Sequence, residues 1–127
     1  MKKIKKLFST LAIISIIPLF SIYLPTHVIA DEGAKVFKKC KACHNFKKNK
    51  IGPNLKGVVD RKAASAAGFR YSKALKTAAK NGLVWNESEL DNFLLKPKKY
   101  LKGTRMSFGG IKKKKQRLAV INFMRNQ

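Results

Sequence analysis

The stretch Cys40-Lys41-Ala42-Cys43-His44 constrains this chain more than any other. Two thiols three positions apart on one helical turn, followed directly by an imidazole, spell C-x-x-C-H, the attachment sequence for a c-type haem. Each thiol can add to a vinyl group of the porphyrin. The adjacent histidine then sits under the ring, close enough to bind iron as the proximal ligand. Covalent haem carries electrons or binds small ligands, so the chemistry is bounded before the fold is considered.

Other uses of these residues fail on counting. A structural zinc site wants four Cys or His ligands. The chain offers only Cys40, Cys43, His27 and His44, and His27 lies in a segment expected to be removed. A thioredoxin-type dithiol would stand beside a strand of a βαβ unit, whereas these surroundings are lysine-rich and helical. Two buried thiols and a surface histidine without a shared role would leave the spacing unexplained.

Residues 1–30 read as a signal peptide. Lys2, Lys3, Lys5 and Lys6 form a basic start, Leu11 to Leu24 an apolar stretch broken by Pro18, and Val28-Ile29-Ala30 a processing site before Asp31. The apolar part is short for a bilayer span of about 20 residues; retained, it would instead tether the haem domain to the membrane. Residues 31–127 then form one domain of 97 residues. Its core is thin for independent stability below about 100 residues, and packing around a mostly buried macrocycle would offset the deficit. Export to the periplasm fits this chemistry, provided that the two thiols stay reduced until attachment in an oxidising compartment.

Without the four leader lysines, 25 of the 29 Lys and Arg remain against six acids, or +19. Such a surface attracts acidic proteins or anionic lipid heads. No aromatic-interleaved basic motif of a nucleic-acid module is present, so nucleic acid is not expected as a partner.

The pattern of the domain is all-α. Helices are expected over Glu32–Lys41 with Asp31 as N-cap, over Tyr71–Lys80 stopped by Asn81-Gly82, and from Asn86 to a stop at Pro97. The last helix, about Lys114 to Met124, presents Leu118, Ile121 and Met124 with Val120 and Phe123 beside them. Lys98 to Ile111 reads as loop, punctuated by Gly103, Gly109 and Gly110.

Iron held by His44 has a second axial position. The domain contains no other histidine, and its methionines are Met106 and Met124. Met124 lies on an apolar helix stripe and reads as core filling. Met106 lies in a glycine-rich loop with no helical periodicity, where a packing role is poor and a ligand role good. Methionine–histidine ligation raises the potential and closes the iron to oxygen or peroxide, which favours electron transfer over catalysis.

Taken with Gly52-Pro53-Asn54-Leu55, Gly68-Phe69-x-Tyr71-Ser72, Gly82-Leu83-Val84-Trp85 and the run Pro97-Lys98-Lys99-Tyr100-x-x-Gly103-Thr104-Arg105-Met106-x-Phe108, the sequence resembles the class I cytochromes c. The likeness covers residues 31–127. It implies a small monohaem domain whose N- and C-terminal helices cross at Gly33 and Phe123, and an electron carrier rather than an enzyme. Cys40 and Cys43 would hold a single covalent haem c, and His44 and Met106 would ligate its iron. The Pro53 carbonyl would accept a hydrogen bond from His44, Arg61, Tyr71 and Trp85 would contact the propionates, and Phe108 would close the crevice.

The resemblance also gives the charge a location. Lys39, Lys98, Lys99, Arg105, Lys112 and Lys113 match positions around the exposed haem edge, where relatives dock on acidic faces of redox partners. It implies a monomer moving electrons from a bc1-type complex to a terminal oxidase (cytochrome c oxidase) or a photosynthetic reaction centre. One departure matters: Phe93 stands where many relatives carry a tyrosine bonded to the ligand sulfur.

Overall fold

Where the first and last helices meet, residue 33 has no room for a side chain. A Cβ on Gly33 would run into the Ala119 carbonyl oxygen and the Phe123 Cβ. The computed structural model describes residues 26–127, in which α1 (Thr26–Phe37) crosses α5 (Lys114–Arg125) at this point. Val120 and Ile121 are wholly enclosed beneath the crossing. Phe37 closes one side, stacked on Phe46 with ring centroids 4.7 Å apart and tilted against Phe123 at 5.3 Å. Aromatic pairs in these offset and tilted arrangements add about 0.5–1.5 kcal/mol beyond their area burial.

Three further helices complete the set: α2 (Lys73–Lys80), α3 (Glu87–Leu95) and the single turn α4 (Pro97–Tyr100). The architecture is mostly helical, and among the described residues the one β feature is an isolated antiparallel bridge between Lys62 and Val84. Local capping explains the helix starts. The Ser72 hydroxyl accepts from the Leu75 N–H, and the Asn86 side chain accepts from the Glu89 N–H. Gly82, at φ 92°, leaves α2 in a conformation that side-chain-bearing residues avoid.

Several expected boundaries move. Asp31 does not cap a helix, because residues 26–30 are already helical and their carbonyls satisfy the N–H groups that a cap would serve. The helix ends at Phe37 instead of Lys41. Beyond it the bonds tighten to three-residue steps, Lys39 to Val36 and Cys40 to Phe37. Tyr71 precedes α2, since Ser72 is its cap. Pro97, expected only to end a helix, also begins α4, where its absent N–H costs nothing. The leader expected over residues 1–30 lies, apart from its last five residues, outside the described part.

The largest correction concerns α5. Leu118, expected to face inward, is exposed, while Arg117 is 5% exposed. Its guanidinium grips Asp91 of α3 in a two-pronged pair, with Nε 2.7 Å from Oδ1 and Nη2 3.2 Å from Oδ2. Nη1 donates to the carbonyls of Ile111 and Lys112 at 2.9 and 2.8 Å. A buried charge is tolerated when every donor has a partner of this quality. This cluster ties α3, α5 and the segment leading out of the Met106 loop into one unit.

Candidate functional site

The C-x-x-C-H residues occupy the tightened turn that follows α1. The Cys43 and His44 N–H groups both donate to the Cys40 carbonyl, at 3.1 and 2.9 Å. The next loop folds back over this turn. The Gly52 N–H donates to the Cys43 carbonyl and the Leu55 N–H to that of Asn45, both at 2.8 Å, and Lys50 Nζ reaches the Lys41 carbonyl at 2.6 Å. A Cβ on Gly52 would overlap the His44 imidazole. The residue before Pro53 is therefore glycine because a ring lies against it.

His44 is held by its own chemistry. Its Nδ1 lies 2.8 Å from the Pro53 carbonyl oxygen. An oxygen with no proton can only accept, so Nδ1 carries the hydrogen and the Nε2 lone pair is left free. Burial pushes the pKa of His44 below its usual 6.5, against the upward pull of the Pro53 bond, and nearby Lys50 adds to the lowering. That lowering favours the neutral ring, the form in which an imidazole ligates a metal. Cys40 and Cys43 are both free thiols. Burial raises the Cys40 pKa to about 11, with the neighbouring Cys43 adding to the rise and Lys39 opposing it.

These side chains open into a cavity of about 530 Å³. That volume falls within the range of about 300–1,000 Å³ typical of sites for cofactor-sized molecules. Cys40, Cys43, His44 and Pro53 form part of its wall, joined by Arg61, Tyr71, Trp85 and Met106 from distant parts of the chain. Much of the remaining wall is hydrocarbon, from Leu55, Val58, Leu75, Leu90 and Leu94 among others.

The polar members have distinct settings. Arg61 donates through Nη1 to the Lys56 carbonyl at 2.7 Å and through Nη2 to that of Asn54 at 3.1 Å. Its Nε is buried without a partner. An unsatisfied buried donor on a cavity wall is costly and suits an anionic group entering the cavity. The Tyr71 hydroxyl accepts from the Ala66 N–H at 3.1 Å. Trp85 is buried against Phe93, with centroids 4.9 Å apart. Half-buried Met106 reaches the wall from the glycine-rich loop, its N–H donating to Thr104 Oγ1 at 3.3 Å. A flat, apolar, doubly acidic macrocycle with two thioether links fits this donor set.

Phe108 packs half-buried against the core. Met124, read as core filling, is indeed in the core at 3% exposure, and it also contributes to the wall from the inner face of α5. Sequence reasoning missed the wall roles of Leu75, Ser72 and Thr104 and the clearance role of Gly52. Only Gly52 carried a usable signal, being a glycine fixed before a proline close to a motif histidine. The cations expected around the haem edge, Lys39, Lys98, Lys99, Arg105, Lys112 and Lys113, are all exposed.

Comparison with known proteins bears on this geometry. A family model described as Cytochrome c matches residues 30–127. A cytochrome c of Cochliobolus lunatus is 44% identical over 102 residues, which cover 77% of this chain and 92% of that protein. A cytochrome c2 of Afifella marina is 41% identical over 96 residues, covering 73% of this chain and 77% of its own length. Among solved structures, cytochrome cH from Methylobacterium extorquens superposes with a TM-score of 0.72 at 45% identity, covering 77% of this chain and 98% of that one.

Proposed function

Since the chain belongs to the cytochrome c family, whose members are electron carriers with one covalent haem c, we propose that it shuttles single electrons between membrane complexes in the periplasm. The haem iron supplies the one-electron redox change. The protein supplies attachment, orientation and exclusion of water. Cys40 and Cys43 would provide the thioether sulfurs, and His44, oriented by the Pro53 carbonyl, and Met106 would hold the iron. Arg61, Tyr71 and Trp85 would meet the acidic groups of the macrocycle, where the unpartnered Nε of Arg61 would find an acceptor.

The observation that carries this reading is the meeting of a Pro53-oriented imidazole and a loop methionine on one largely apolar cavity. The proposed donor is a bc1-type complex, and the proposed acceptor is a terminal haem–copper oxidase or a photosynthetic reaction centre. The partner faces are proposed to be acidic, in keeping with the large positive charge of residues 31–127, 25 Lys and Arg against six acids. Anionic lipid is a secondary partner, and the carrier acts as a monomer. No helix among the described residues is long and apolar enough to cross a membrane. A form tethered through residues 1–30 is the alternative.

An intact mass together with oxidised and reduced optical spectra tests the reading. The expected result is one haem per chain on a polypeptide beginning at Asp31, with a methionine–iron charge-transfer band in the oxidised form. A chain retaining residues 1–30 in the membrane fraction would establish the tethered form. Absence of the band would overturn methionine ligation.

A further inference from the structure

The segment leading into α2 brings to the cavity a cation that no motif accounts for. Phe69, Arg70, Tyr71 and Ser72 all line the cavity, so this stretch runs along its edge. Its backbone is well fixed. The Asn49 side chain donates to the Ala67 carbonyl at 2.8 Å, the Tyr71 hydroxyl accepts from the Ala66 N–H at 3.1 Å, and Ser72 caps the helix that follows. Phe69 and Tyr71 brace each other edge to face, with centroids 4.8 Å apart. Between them stands Arg70, exposed and yet part of the cavity lining, which places it at the rim. Among the described residues its guanidinium has no hydrogen bond or ion pair.

Stability does not explain this arginine, because an exposed guanidinium with five donors and no partner adds little to a fold. Its setting is electrostatic. The other charged side chains lining the cavity are Arg61, Lys62 and Arg105, and no aspartate or glutamate among the described residues lines it with them. The Nε of Arg61 already offers a buried donor to an entering acid. A doubly acidic macrocycle is thus met by more cations than it has acids. We propose that Arg70 is a potential-setting residue, whose charge at the cavity rim favours the reduced form of the bound cofactor and so selects the donors and acceptors that the carrier can serve. This inference rests on the electron-carrier reading. Reduction brings one electron from the partner into the cavity, and a fixed cation on the wall stabilises that added negative charge. No bond forms or breaks, and Arg70 exchanges no proton, since a guanidinium stays charged at any ordinary pH.

The test poises purified holoprotein at one ambient potential with a redox dye, at low ionic strength, and reads the ferric-to-ferrous ratio from the optical spectrum. Arg70→Gln is expected to raise that ratio about threefold, as one partly solvated charge near the cofactor implies. Arg70→Glu should raise it about tenfold, because reversing the charge doubles the electrostatic effect. Arg70→Lys should stay close to the wild type. Lys80→Gln removes an exposed cation at the far end of α2 and should move the ratio much less, which separates position from net charge. Concentrated salt should shrink every shift. An unmoved ratio in both Arg70→Gln and Arg70→Glu overturns the inference and leaves the carrier reading standing. An equal shift in Lys80→Gln overturns it in favour of net charge. A changed rate with redox partners at an unmoved ratio overturns it in favour of a contact role. Wild-type protein that carries no covalent haem defeats the carrier reading, and the inference falls with it.

Discussion

The α1–α5 crossing and the cavity wall are both rich in apolar residues but are held together differently. At the crossing, hydrocarbon meets hydrocarbon: Val120 and Ile121 are fully enclosed, and Gly33 leaves no gap between the backbones. In the wall, apolar residues from the turn after α1, the loop at residues 51–58, α2, α3 and the Met106 loop face a common space of about 530 Å³. A packed interface sustains itself through dispersion and burial. A wall built around a cofactor has its apolar faces satisfied by that cofactor. One half of the domain is therefore set by protein alone, and the other depends on what is attached at Cys40 and Cys43.

Removing the attachment is the strongest way to probe this contrast. A Cys40→Ala, Cys43→Ala double variant is expected to lose covalent haem and, with it, the cooperative fold of the wall segments. Intact mass and far-UV circular dichroism would report both, and a helical signal equal to that of the holoprotein would break the distinction. Met106→Ala comes next. It should lower the midpoint potential by about 0.2 V, within the roughly 0.8 V that axial ligands span, while leaving the α1–α5 crossing intact. An unmoved potential would remove Met106 as the ligand.

At the packed interface the effects should appear as stability. Gly33→Val is expected to cost about 3 kcal/mol in denaturant unfolding, the upper end for overpacking, with the optical spectrum of the folded state unchanged. Arg117→Leu should cost about 2–3 kcal/mol. That is below the range for a fully enclosed pair, because the Asp91 side chain keeps 19% exposure. It should also loosen the Ile111–Lys112 segment, which hydrogen exchange would detect. The smallest effect belongs to Phe93→Tyr. A hydroxyl added to the cavity wall can donate to the Met106 sulfur and draw electron density from it. The potential should rise by tens of millivolts, on the order of 1 kcal/mol for one hydrogen bond, and an unchanged or lower value would count against the bond.

How much was readable from the chain depended on distance along it. Asn86 and Gly82 act on residues within four positions, so their roles as helix start and stop were visible in the linear order. The His44–Pro53 bond closes only nine residues. Arg117 was missed because its partners, Asp91 and the carbonyls of Ile111 and Lys112, become partners only after α3 and α5 pack. Helical periodicity had nominated Leu118 for that face, but a satisfied ion pair there displaced the hydrocarbon.

Contiguous chemistry was settled by the sequence alone: two thiols and an imidazole on one turn, a loop methionine and an excess of cations. These depend on covalent neighbours and on hydrogen bonds spanning a few residues, which hold wherever the rest of the chain goes. Tertiary structure decided the convergence of Arg61, Tyr71, Trp85 and Met106 on one cavity with His44, and the need for glycine at 52. Those outcomes come from many weak contacts between segments far apart in the chain, and such sums take definite values only once the helices have packed.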